Sequence, residues 1–443
     1  MRYLSFLSVF FLSGQFSVGM ASGLPAPLAD KDFPAVDMGE VELGRHLFWD
    51  PILSGNRNIS CGTCHHPRHG SGDGVALSLG EGGIGIGPER VADPDNLPEQ
   101  HIPRNAPALW NLGAKQWTVL FHDGRIEVDE TRAGGLRTPL EDEMVTGFRD
   151  LLSAQTMFPV LSQDEMAGQY GENDVSRAVR LGVLTGQGGA WDVIADRVAA
   201  IDAYQEQFKA VYPEIAAGQP IHFTDISNAI SAFVAFEFRS DDSVFDGYLR
   251  RDEALSRGAE EGMALFYGEA GCGNCHSGAL LTDFDFHAMG DLQIGPGKGA
   301  RFENHKRDAG RARVTNEDAD LYQFRTPSLR NVVLNAPYGH AGAIDDLAAY
   351  LQHHSAPRAG WASFERDRVN LPDLVGTPIF AIADDPQEVS AILAAVEFED
   401  APLSDAQIAS LVTFLESLTG ETAQAGGRLG IPAEVPSGLP VDR

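Results

Sequence analysis

Every cysteine in the chain belongs to one of two copies of a single five-residue pattern, Cys61-Gly-Thr-Cys64-His65 and Cys272-Gly-Asn-Cys275-His276. Two thiols three positions apart can add to the two vinyl groups of a haem, and the histidine that follows can bind its iron from below. With all 4 cysteines so used, no thiol is left for a disulfide. Three other readings compete. Zinc would use four thiolates but leaves a histidine after each pair unexplained. A thioredoxin-like pair belongs beside a strand-helix-strand pattern in a reducing compartment, which these surroundings do not resemble. Two small disulfides would each close a very short loop. The repetition favours two c-type haems.

The first residues read as a secretory leader over 1–21: Arg2, an apolar run from Leu4 to Phe16, then small Gly19 and Ala21 as a cleavage site. That run is shorter than the roughly 20 residues a membrane span requires, and no later stretch is longer. The expectation is an exported, periplasmic protein with no membrane span, which is also where c-type haem is attached. About 420 residues then remain, enough for two domains. With 33 Lys and Arg against 63 Asp and Glu, the formal charge is -30. This excludes a nucleic-acid partner, whose phosphates need a basic face.

The two patterns sit in a longer duplication. Gly44-Arg-His-Leu47-Phe48 precedes the first and Gly262-Met-Ala-Leu265-Phe266 the second. Pro107-Ala-Leu109-Trp-Asn111 and His122-Asp-Gly124 are echoed by Pro327-Ser-Leu329-Arg-Asn331 and His340-Ala-Gly342. Asp37-Met-Gly-Glu40 reads as a capping box for a helix that stops before Pro51. Apolar Ile226, Ala229, Ile230, Phe233 and Val234 predict a one-sided helix over 224–238, and Ser404 with Gln407 opens another that ends at Gly420. From Gly70 to His101 a Gly-, Pro- and Asp-rich stretch predicts a long loop over the first haem. Its Gly80-Glu-Gly82-Gly-Ile-Gly85 imitates a dinucleotide fingerprint, but no strand precedes it and Pro88 interrupts the helix that should follow. Convincing strands are missing. The expected fold is mainly α, two c-type cytochrome domains in tandem over 36–240 and 250–420, with long loops, little β structure, a turn at 240–243 and a disordered tail over 421–443.

Together with Phe324-Arg-Thr-Pro327-Ser-Leu329-Arg-Asn331 and Ala336-Pro-Tyr338-Gly-His340, the paired patterns resemble the bacterial di-haem cytochrome c peroxidase and MauG family over nearly all of the mature chain. In that family the first haem is the peroxide site and the second passes or stores charge. The resemblance assigns the peroxide pocket to Gln155, Pro159 and Glu165, followed by Met166, because these keep the family's spacing. Glu165 would carry the proton from the peroxide oxygen nearest the iron to the outer one, Gln155 would hold the peroxide, and Pro159 would limit the space. Taken alone, Glu165 would read as a solvated carboxylate. The family also implies a calcium ion held by the Asn105 side chain and the carbonyls of Asn335 and Pro337, although Asn105 would equally suit a plain turn.

Three departures from the family pattern shape the expected function. No histidine lies between His69 and His101 to block the first iron, and His66 and His69 read as surface or propionate contacts, so that iron should be open as made. The far ligand of the second haem falls on His354, beside His353, where the family has methionine or tyrosine. A second imidazole lowers the potential and makes that haem a better store for an oxidising equivalent. Met289 is the rival ligand, read instead as packing. His122 stands where a bridging tryptophan usually lies between the haems, while Trp49, Trp110 and Trp117 read as core. The expected function is hydrogen-peroxide-dependent oxidation of a tryptophan or tyrosine on a partner protein through a high-valent di-haem state, with similarity to the MbnH-like branch. The alternatives are a cytochrome c peroxidase fed by a small cytochrome or cupredoxin, and a non-enzymatic di-haem electron carrier or sensor.

Overall fold

The structure is a computed structural model that describes residues 23–132, 134–299 and 305–443. The leader expected over 1–21 lies outside the described residues. Among them no helix is long and apolar enough to cross a membrane. Helices joined by long loops carry the fold. Among the described residues strands are two or three residues long, in three small antiparallel sheets, one of which pairs Phe286–His287 with Phe324–Arg325.

Close approach of two helices sets the core twice over. Asp37 caps the Met38–Trp49 helix by accepting from Glu40 N at 3.0 Å. The Glu40 carboxylate does not close a capping box but takes Arg149 and the Tyr212 hydroxyl. That helix crosses Phe223–Glu237 at Gly44, where a Cβ would lie 1.8 Å from the Ala229 carbonyl oxygen. The Arg257–Phe266 helix crosses Asp405–Glu416 at Gly262 in the same way, 1.9 Å from the Ser410 oxygen. Only glycine permits either contact. Two separate apolar clusters follow, one around Phe48, Phe233 and Phe238, the other around Phe245, Phe266 and Phe414. Ser404 and Gln407 cap the last of these helices reciprocally.

The stretch at 240–243 is pinned from both sides. Asn111 and Asn331, equivalent positions in the duplication, both adopt left-handed backbone, φ 60° and 62°. Asn111 accepts from Ser240 N at 2.8 Å and Asn331 from Ser240 Oγ at 3.2 Å.

The tail expected to be disordered is ordered. After the short Glu421–Gln424 helix, residues 425–443 run back across the N-terminal cluster and bury Val435. Glu237 accepts from the amides of Leu429 and Gly430, Asp50 from Ser437, and Asp442 from the Thr63 hydroxyl inside the first Cys-X-X-Cys-His pattern. Composition misled here because the order comes from these long-range partners, not from any periodic pattern in the segment itself.

Candidate active site

Both patterns present their histidine alike. Cys61–Cys64 forms one helical turn laid flat on an indole, where a Cβ on Gly62 would come within 2.3 Å of Trp49, and Gly273 lies on Tyr267 in the same manner. The His65 ring donates Nδ1–H to the Ser71 carbonyl at 3.1 Å, and His276 Nδ1–H to Leu281 O at 3.2 Å. A carbonyl only accepts, so Nδ1 carries the proton in each ring and Nε2 is left as the metal-binding nitrogen. Ser71 and Leu281 both have positive φ, 68° and 53°, which turns their carbonyls onto the rings. Burial pushes the Cys61 and Cys64 thiols up to about 12 and Cys272 to about 11. Such apolar surroundings suit a porphyrin edge and not a cage of zinc thiolates. The four thiols do not gather either: among the described residues the one group with metal-ligand spacing is Cys275, Asp283 and His287. The residues present therefore fit two c-type haems.

Three short turns in succession form a run that carries the residues expected to form the peroxide pocket. Gln155 is on Leu151–Thr156, capped by Asp150 through Ser153 N at 2.7 Å; Pro159 opens a 3-10 turn; Glu165 lies in a π turn over Gln163–Ala167. Such π turns are frequent at functional sites. The Gly70–His101 loop closes on it. Glu81 N donates to Glu165 O at 2.9 Å, and a Cβ on Gly80 would sit 2.0 Å from Asp164 O. The glycines thus serve close packing rather than a dinucleotide turn. Arg90, which sequence reasoning missed, threads this loop and donates to the carbonyls of Leu79, Gly80 and Gly85. The Cys64 thiol feels Asp73, Arg90 and Glu165 electrostatically, which brings these groups to one site. Burial pushes the Asp73 carboxyl up to about 7. Burial, then Arg125, lowers the Lys298 ammonium, which also feels Glu165.

His66 is not a surface contact. It is fully buried, edge-on to Trp49 at 5.6 Å, and accepts from Arg68 N at 3.2 Å. His69 is wedged between Gly74 and Gly87, where an added Cβ would strike its ring at 2.7 and 2.2 Å.

At the second pattern the opposing group is an imidazole. Asp346 caps the Leu347–Ser355 helix through Ala349 N at 2.8 Å, and this helix carries His354 over His276 with ring centroids 6.5 Å apart. A metal–imidazole bond of about 2 Å on each side of one iron gives a centroid separation of about 6 Å, so the pair can hold an iron between them. His353 turns the other way, its Nε2 3.2 Å from Gly290 O and its ring pressed on Gly360. Met289 lies partly buried just before that glycine. Tyr350 stacks on His354 at 5.5 Å and donates its hydroxyl to Asp291 at 3.1 Å.

Arg104 centres a buried charge network. Arg104 reaches Asp308 at 2.7 and 2.8 Å and Asp123 at 2.7 Å. Burial alone would raise both carboxyls, but Arg104 holds them well below the usual range. His122 is lowered by burial and then by Arg104, His340 and Arg325, so it is neutral. Its carbonyl accepts from Arg325 N at 2.8 Å. Asn105 spends its amide N–H on Val75 O at 2.8 Å, leaving its side-chain oxygen as the free end. Asn335 Nδ2 is used on Gly70 O at 2.6 Å, next to the cis Ala336–Pro337 bond.

Comparison with known proteins agrees with this arrangement. The profile of the family described as di-haem cytochrome c peroxidase matches residues 39–254. The methylamine utilization protein MauG of Methylorubrum extorquens is 28% identical over 319 residues, 71% of this chain and 68% of that protein. Cytochrome c551 peroxidase of Pseudomonas aeruginosa is 29% identical over 314 residues, 69% and 68% of the two chains. Among solved structures, a MauG-like protein associated with microbial copper homeostasis superposes with TM-score 0.56 and 25% identity, covering 93% of this chain and 97% of that one. On both the paired histidine bases and these relationships, the chain resembles the di-haem cytochrome c peroxidase and MauG family of peroxidase-type oxidoreductases, a likeness that implies two c-type haems.

Proposed function

We propose that this protein uses hydrogen peroxide to withdraw electrons from a tryptophan or tyrosine of a partner protein in the periplasm. The observation that carries the proposal is the imidazole of His354, 6.5 Å from His276 at the second pattern, set against the Glu165 carboxylate that Cys64 feels at the first. When bound, the first haem would supply an iron that peroxide can oxidise, and the second would supply an iron that can share the deficit. His65 and His276 would hold the irons through Nε2, each ring fixed by its carbonyl, with His354 as the second imidazole at the second haem. Glu165 takes the proton from one peroxide oxygen and returns it to the other, so that water leaves. Gln155 orients the peroxide and Pro159 limits the room beside it. Neutral His122 would serve as the electron bridge between the sites. Asn105, Asn335 and Pro337 offer oxygens for a calcium ion near the 70–76 loop.

The narrower likeness to the MbnH-like branch rests on His122 and on His353-His354, with support from the structural relative tied to copper homeostasis. Electron paramagnetic resonance of the ferric holoprotein is the test. One high-spin and one bis-histidine signal are expected; two saturated irons, or a histidine–methionine signal, would remove the reading. Peroxide with the partner present should then give a partner heavier by oxidation. Fast turnover with a reduced small cytochrome or cupredoxin would instead mark a detoxifying peroxidase.

A further inference from the structure

Beside His354, but no part of the iron-binding set, stands a tyrosine with a built-in proton acceptor. Tyr350 stacks on the His354 ring, centroids 5.5 Å apart and planes 28° from parallel, and its hydroxyl donates to Asp291 Oδ1 at 3.1 Å. The other oxygen of Asp291 faces His340 Nδ1 at 3.5 Å, and the carboxylate is 14% exposed. Tyr338 is the next ring, 5.7 Å away. The neighbouring tryptophan is equipped differently: Trp361 donates its indole N–H to the Gly290 carbonyl at 2.8 Å, and a backbone carbonyl cannot keep a proton.

We propose that Tyr350 is the redox relay by which an oxidising equivalent leaves the second site, its proton passing to Asp291 as its electron departs. The inference rests on the reading above, in which that site holds an equivalent. Reduction of one hydrogen peroxide to two waters takes up two electrons and two protons and leaves the protein two electrons short. Tyr350 fills one deficit: an electron leaves the ring toward His354, the O–H bond breaks, and Asp291 Oδ1 binds the proton. A neutral phenoxyl radical and a carboxylic acid result. An electron from the partner's aromatic side chain restores the ring, and the proton returns from Asp291. Over two passes the partner gives up two electrons and releases two protons to solvent, replacing the two that peroxide reduction draws from it.

The holoprotein, frozen after addition of hydrogen peroxide without partner, should give a tyrosyl signal in electron paramagnetic resonance that narrows when tyrosine is supplied ring-deuterated. Tyr350→Phe should abolish that signal and leave the resting ferric spectrum unchanged, while Tyr338→Phe should retain it. Asp291→Asn should slow its appearance. Peptide mass spectrometry after repeated peroxide additions should find oxidised Tyr350 in the wild type. A tyrosyl signal that survives in Tyr350→Phe, or its absence in wild type while peroxide is consumed, overturns the relay alone. A wild type that consumes no peroxide, or lacks the bis-histidine signal at rest, overturns the relay together with the reading beneath it.

Discussion

Beneath their histidines the two sites are built with the same parts. Gly44 and Gly262 seat the helix crossings, Trp49 and Tyr267 carry Gly62 and Gly273, and Ser71 and Leu281 turn a left-handed carbonyl onto each ring. Beyond those bases they part: the second is faced by a helix ending in two imidazoles, and the residues expected at the first include a carboxylate in a π turn. The lesson is that the duplication fixes the iron-holding base, where covalent geometry allows little choice, while function is set by the segments that arrive from elsewhere. Those covering segments lie about 90 residues after the first pattern and about 80 after the second, and their lengths and contents differ.

The comparison can be broken first at its most asymmetric residue. His354→Ala should make the second site resemble the first: the bis-histidine signal disappears, a second high-spin signal replaces it, and added imidazole restores the original spectrum. Glu165→Gln should leave both resting spectra intact and slow peroxide consumption by about 10²–10⁴-fold, measured by stopped flow. A third effect belongs to the first site alone. Burial raises Asp73 from 3.8 to about 7, so the stability tied to its protonated form is present below the unfolded carboxyl range and lost as pH rises through about 7. Asp73→Asn removes that loss, and relative to wild type its unfolding free energy should rise between pH 4 and 8 by up to roughly 4 kcal/mol. The shared base should respond symmetrically. Gly44→Ala and Gly262→Ala should each cost at least about 1–3 kcal/mol in denaturant melts, because backbone must move to admit the methyl group. Smallest, Asp442→Ala should cost about 1–2 kcal/mol and broaden the spectrum of the first haem without touching the second.

Much of this was legible in the sequence, and the exceptions have physical causes. Turn and cap chemistry is local, so Asp37, Ser404 and Gln407 could be placed from their neighbours, as could the helix observed at Phe223–Glu237. The spacing of Gln155, Pro159 and Glu165 put them on one continuous run, which three successive turns make. What could not be read were groups whose surroundings come from afar. His66 looked exposed because its cover is Trp49. Asp73 and Arg90 looked like ordinary loop charges, yet one is buried and the other pins three carbonyls of its own loop. Lys298 feels the charge of Glu165 although 133 positions separate them, a proximity no window of sequence contains.

The hydrogen bond from Thr63 to Asp442 spans 379 positions. In a chain made from its N-terminus, this clasp on the turn between Cys61 and Cys64 cannot close until Asp442 has been added. The order it lends to the first thiol pair is therefore supplied by the far end of the chain, 379 positions downstream.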